Sequence, residues 1–66
     1  MIDDFDIYRA AKLLVDQCGA EAARFTNARA DELLQKGDID GAIVWRRILA
    51  AVEELQLDRR EGERLN

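Results

Sequence analysis

The sequence predicts an all-α protein of three short helices, with helices two and three forming an antiparallel hairpin and helix one packed across it. Three observations lead there: apolar residues recur at helical spacing along most of the chain, glycines 19 and 37 divide that pattern into three, and proline is absent. A chain of 66 residues has room for one domain. Residues 1–57 are expected to form it, and residues 58–66 to be a charged, mobile C-terminal tail without apolar periodicity.

The first helix is expected over residues 4–17. Asp3 can accept hydrogen bonds from the free N–H groups of its first turn, Asp4 and Asp6 suit the positive end of its dipole, and Ile2 can pack back onto Ile7. At 100° per residue, Ile7, Tyr8, Ala10, Ala11, Leu14, Val15 and Cys18 fall within an arc of roughly 160°. Gly19 then ends the helix, because a glycine adopts a left-handed backbone at little steric cost.

The second helix is expected over 20–36, with a narrower stripe of Ala22, Ala23, Thr26, Ala30, Leu33 and Leu34. Small side chains dominate that stripe and let a neighbouring helix approach closely. Gly37 reverses the chain, Asp38 caps the next helix, and the shortness of this turn predicts the hairpin.

The third helix is expected over 39–58, and its apolar arc is the widest, roughly 180°. Ala42, Val44, Trp45, Ile48, Leu49, Ala51, Val52 and Leu55 lie on it. A second line of Ile39, Ile43, Ala50 and Leu57 runs down the face that also carries Arg46, Arg47, Glu53 and Glu54.

Composition narrows the classes of function. Charged residues make up 36% of the chain against the usual quarter or so, which implies a large solvated surface around a modest core. The net charge of −4 repels a phosphate backbone, so nucleic acid is a disfavoured partner. The single cysteine, Cys18, cannot form an internal disulfide, and a domain this small normally needs such bonds in an oxidising compartment. The chain opens Met1-Ile2-Asp3-Asp4 with no basic segment and holds no apolar run of membrane-spanning length. A cytoplasmic protein is expected, with no membrane partner.

Two resemblances can be set beside this. The segment Ala30-Asp31-Glu32-Leu33-Leu34-Gln35-Lys36-Gly37-Asp38-Ile39-Asp40-Gly41-Ala42 resembles the inter-helix turn of a tetratricopeptide repeat, although a solenoid needs at least about three such units and only one fits. More of the chain, from Asp6 to Gln56, resembles a family of very small uncharacterised cytoplasmic proteins of bacteria, a domain of unknown function. The words that carry it are Asp6-Ile7-Tyr8-Arg9-Ala10-Ala11-Lys12-Leu13-Leu14, Arg29-Ala30-Asp31-Glu32-Leu33-Leu34 and Gly37-Asp38-Ile39-Asp40-Gly41-Ala42-Ile43-Val44-Trp45-Arg46-Arg47-Ile48. The resemblance implies a compact bacterial protein and brings no activity, cofactor or binding residue with it.

No residue pattern here supports catalysis. Cys18 lies on the apolar arc at the negative end of a helix, and the chain has no histidine to activate it. Gly37-Asp38-Ile39-Asp40-Gly41 has the Asp-x-Asp-Gly look of a calcium loop, but helix begins at once and the terminal glutamate ligand has no counterpart. Asp3, Asp4 and Asp6 are what a helix dipole already favours in a first turn, and one cysteine without histidine cannot make a zinc site. No enzyme activity, cofactor, metal or small-molecule substrate is therefore expected.

A small protein-interaction module, a regulator or adaptor, is the expected function. Its candidate interface is Ile39, Ile43, Trp45, Leu55 and Leu57 of the third helix, with core packing the favoured reading of Trp45. Phe5, Leu13 and Phe25 fall off their helices' stripes and add exposed apolar surface. Self-association as a homodimer is expected through the third helix, by Ile39, Ile43 and Leu57 or by part of the Val44, Ala51 and Leu55 edge, since a body of this size rarely collects more than about 3–5 kcal/mol from its own core. Across an antiparallel pair of third helices, Arg46 or Arg47 of one chain would face Glu53 or Glu54 of the other. The alternative is a nucleic-acid-binding regulator using Arg24, Arg29, Arg46 and Arg47, which would have to gather into a basic face despite neighbouring acids.

Overall fold

The computed structural model describes residues 3–65, and side-chain packing for residues 3–57. In chain order the elements are α1 (Asp4–Cys18), a single 3-10 turn (Gly19–Glu21), α2 (Ala22–Gln35) and α3 (Ile39–Leu65), with no strand among the described residues.

The starts of α1 and α3 follow from local chemistry. The Asp3 carboxylate accepts the Asp6 N–H at 3.0 Å, relieving one of the unpaired donors of the first turn of α1. The expected contact of Ile2 with Ile7 lies outside the described residues. At the other end, Gly19 has φ 58° and ψ −127°. The positive φ is as expected, but ψ departs from the left-handed helical value near +47°, so the chain leaves α1 through a conformation open to glycine rather than through a left-handed cap. A 3-10 turn follows, and α2 begins at Ala22 instead of residue 20. Neither Cys18 nor Glu21 makes a side-chain capping bond at this junction.

Between α2 and α3 the chain turns within three residues. Gly37, at φ 84°, donates its N–H to the Leu34 carbonyl at 3.0 Å, and Asp38 donates to the Leu33 carbonyl at 2.9 Å. This pair of bonds is the Schellman closure of a helix C-terminus. Asp38 then starts α3: its carboxylate accepts the Gly41 N–H at 3.0 Å and its carbonyl accepts the Ala42 N–H at 3.0 Å. Gly41 leaves room for this cap, because a Cβ there would lie 2.5 Å from Asp38 Oδ2 and would displace the carboxylate.

The core forms where α3 packs against α1. Ile7, Ala11 and Val15 of α1 meet Ile48 and Val52 of α3, joined by Ala22 at the start of α2. Ala11, Ala22 and Ala30 are fully buried, consistent with small side chains where helices approach closely. Thr26 is also fully buried, and its hydroxyl donates to the Ala22 carbonyl one turn earlier at 2.7 Å. Among the described residues no buried side-chain polar atom lacks a partner.

Three expectations need correction. Tyr8 and Leu34, placed on apolar stripes, are about half exposed. Both sit at the edge of their arcs, and the neighbouring helix covers only the middle. α3 also runs past the expected end at 58 to Leu65, giving 27 residues or about 40 Å of helix in a molecule 45 Å long. Arginine, glutamate and leucine have high helix propensity, and hydrophobic periodicity is silent on a segment that has no apolar stripe.

Candidate functional site

α3 has two faces of opposite character. Ala42, Ile48 and Val52 are buried on one, flanked by the half-buried Val44, Leu49 and Ala51. Successive residues at 100° place Ile39, Ile43, Ala50 and Leu57 together on the opposite side, with Arg46, Arg47, Glu53 and Glu54 interleaved. All eight of these residues are exposed.

Of the five candidate interface residues, the structure brings three together. Ile39, Ile43 and Leu57 lie on the outward face at 59%, 46% and 56% exposure. Trp45 and Leu55 do not join them, being half-buried and packed against the core cluster. Trp45 meets Phe25 of α2 edge to face, with ring centres 6.3 Å apart, and the Arg29 guanidinium lies 6.0 Å from its ring centre. Phe25 is thereby tied to the α2–α3 contact, whereas Phe5 and Leu13 are exposed on α1, and Arg9 lies 5.9 Å from the Phe5 ring centre.

Shallow grooves border the outward face of α3 on both sides. One lies against α1, where Asp4 and Tyr8 adjoin Arg47, Ala50 and Glu54. Ala20 and Ala23 adjoin Glu53 and Leu57 in the other. The exposed Tyr8 thus extends the surface that α3 presents.

Three of the four arginines lie beside carboxylates. Arg24 lies 3.6 Å from Glu21, Arg29 2.6 Å from Glu32, and Arg46 3.8 Å from Asp31, while Lys36 also reaches Glu32 at 3.3 Å. These exposed pairs add little stability, but they intersperse the positive charge with carboxylates.

Three of the groups considered for chemistry, Cys18, Asp3 and Asp38, have local structural roles. Cys18 is a free, half-buried thiol packed against the core. The carboxylates of Asp3 and Asp38 accept N–H groups as helix caps. Among the described residues no group of three or more His, Cys, Asp or Glu could hold a metal ion. Among the described residues no helix is long and apolar enough to cross a membrane.

One contact was missed by sequence reasoning. The Gln56 side-chain amide donates to the Gly19 carbonyl at 2.8 Å, tying α3 to the junction of α1 and α2. The signal was present: Gln56 falls within the apolar arc of α3, and a polar side chain there needs a partner.

The fold and this surface define a small helical protein with an apolar, charge-flanked helix face turned to solvent. No protein-family model matches the chain, and no curated protein or solved structure shows significant similarity to it.

Proposed function

We propose that this is a small cytoplasmic protein-interaction module, a regulator or adaptor without chemistry of its own, acting through the outward face of α3. The observation that carries this is the exposure of Ile39, Ile43 and Leu57 on one side of a helix whose opposite side is already committed to the core. Single exposed hydrophobes are ordinary, but three aligned along one face of a small protein mark a contact surface. The free Cys18 is compatible with a reducing compartment.

The finer architecture belongs to the same proposal: α2 and α3 form an antiparallel hairpin, with α1 laid across it as the third helix. In support, contacts run from Gly19 with Gln56 at one end, through Phe25 with Trp45 and Asp31 with Arg46, to the turn at Gly37. Such a hairpin holds the core side of α3 in place and leaves its outward face free.

The test is capture from a cytosolic lysate by the wild-type chain and by an Ile43→Glu, Leu57→Glu variant. Both substitutions are on exposed positions and should leave the circular-dichroism spectrum unchanged. Loss of specific capture by the folded variant is the expected result. Identical captured proteins would contradict an interaction surface on α3.

A further inference from the structure

We infer that the occupant of the outward face of α3 is a second copy of this chain, docked antiparallel about a two-fold axis passing at Ala50. This rests on the proposal that α3 presents an interaction surface, and adds the partner and the register. The exposed residues are arranged as a charge-complementary mirror around one point. Arg47 and Glu53 lie three residues either side of Ala50, Arg46 and Glu54 four, and Ile43 and Leu57 seven. All seven are exposed and share one helix face.

A two-fold axis at the midpoint turns that arrangement into pairing. Each copy's Arg46 and Arg47 face the other's Glu54 and Glu53, and each Ile43 meets a Leu57, as an isologous interface requires. Ala50 faces its own image, and its small side chain lets the two helices approach closely where they cross. A parallel arrangement would set arginine on arginine and glutamate on glutamate, so charge selects the antiparallel one. Each exposed ion pair adds little energy; it sets orientation, while the apolar pairs supply attraction.

The neighbouring structure leaves this docking open. The core lies behind α3, away from the axis, while α1 borders the outward face at Asp4 and Tyr8, and the grooves there and at Ala20 and Ala23 widen the contact beyond one helix stripe. Arg46 is also 3.8 Å from Asp31, but both side chains are more than half exposed, so that pair competes weakly. The face from Ile43 to Leu57 spans about 21 Å of helix, enough for several turns of contact.

The experiment uses the full chain in a Cys18→Ala background. Ala50→Cys should form a covalent dimer under mild oxidation, while Lys12→Cys, on the outer face of α1, should not. In parallel, an Arg46→Glu, Arg47→Glu variant and a Glu53→Arg, Glu54→Arg variant should each sediment as monomers, with dissociation constants raised at least tenfold. Mixing the two should restore the dimer mass. Folding is checked by circular dichroism, and if a reversed variant does not fold, the Ala50→Cys cross-link decides. Dimers that persist in both folded reversed variants, or a mixture that stays monomeric, would overturn the register. A wild-type monomer at several hundred micromolar, with no Ala50→Cys cross-link, would overturn the second copy as partner. The lysate capture would then separately decide whether α3 is an interaction surface.

Discussion

Gln56 reaches across the molecule to Gly19, its side-chain amide 2.8 Å from the glycine carbonyl, and so fastens the α1–α2 junction to the middle of α3. That junction has no side-chain cap of its own at Cys18 or Glu21. A partly buried hydrogen bond therefore holds a turn that the local sequence specifies weakly.

Gln56→Ala should destabilise the fold by about 1 kcal/mol, the typical net value of one hydrogen bond. The Gly19 carbonyl keeps the Ala22 N–H, so the loss should stay at that scale. Urea unfolding would measure it. Amide exchange should speed up at Gly19–Ala22 more than in the centre of α1.

Asp38 and Gly41 should be energetically coupled. Asp38→Ala removes the cap of α3 and should cost about 1 kcal/mol. Gly41→Ala alone should be near neutral, because the roughly 1 kcal/mol gained in helix propensity is offset when the new Cβ displaces the capping carboxylate 2.5 Å away. In the Asp38→Ala background the same substitution should stabilise by about 1 kcal/mol. Additive values in the double-mutant cycle would contradict this account of Gly41.

The core should resist change in both directions. Val52→Ala leaves a void among fully buried neighbours and should cost about 2 kcal/mol. Ala11→Leu forces extra volume between α1 and α3 and should cost about 1–3 kcal/mol. Denaturant midpoints of the two variants would check both; a stabilised Ala11→Leu protein would mean that the helices are not in close contact there.

Thr26→Val should be neutral or slightly stabilising, and Thr26→Ala destabilising by about 1 kcal/mol or more. The buried hydroxyl bonds only to the Ala22 carbonyl, so a shape-matched valine removes a donor without stranding a partner that the helix ladder already serves. Thermal melts would distinguish the two. A large loss with valine would point to a further role for the hydroxyl.

How much of this was legible in the sequence depends on what kind of signal each feature leaves. Asp3, Gly37 and Asp38 act through their own backbone neighbourhood, and their roles could be derived from local rules. The buried residues of α1 were readable because Ile7, Ala11 and Val15 recur at four-residue spacing. Tyr8 and Leu34 were misplaced because periodicity gives direction around a helix and not the extent of its neighbour. The start of α2 shifted because no capping side chain marks it, and the end of α3 was missed because its last turns have no apolar stripe to report them. On the candidate surface, Ile39, Ile43 and Leu57 were separable from the core by angle, whereas Leu55 sat at the edge of the core arc and Trp45 within it, where angle alone does not divide core from interface.

The central claim, association through α3, is tested most directly by sedimentation equilibrium of the wild-type chain at micromolar to submillimolar concentration, paired with melting temperatures across the same dilution series. Dimer mass at the upper end, falling toward monomer on dilution together with the melting temperature, is the predicted result. A single species at monomer mass throughout, with a melting temperature that does not move, would contradict it.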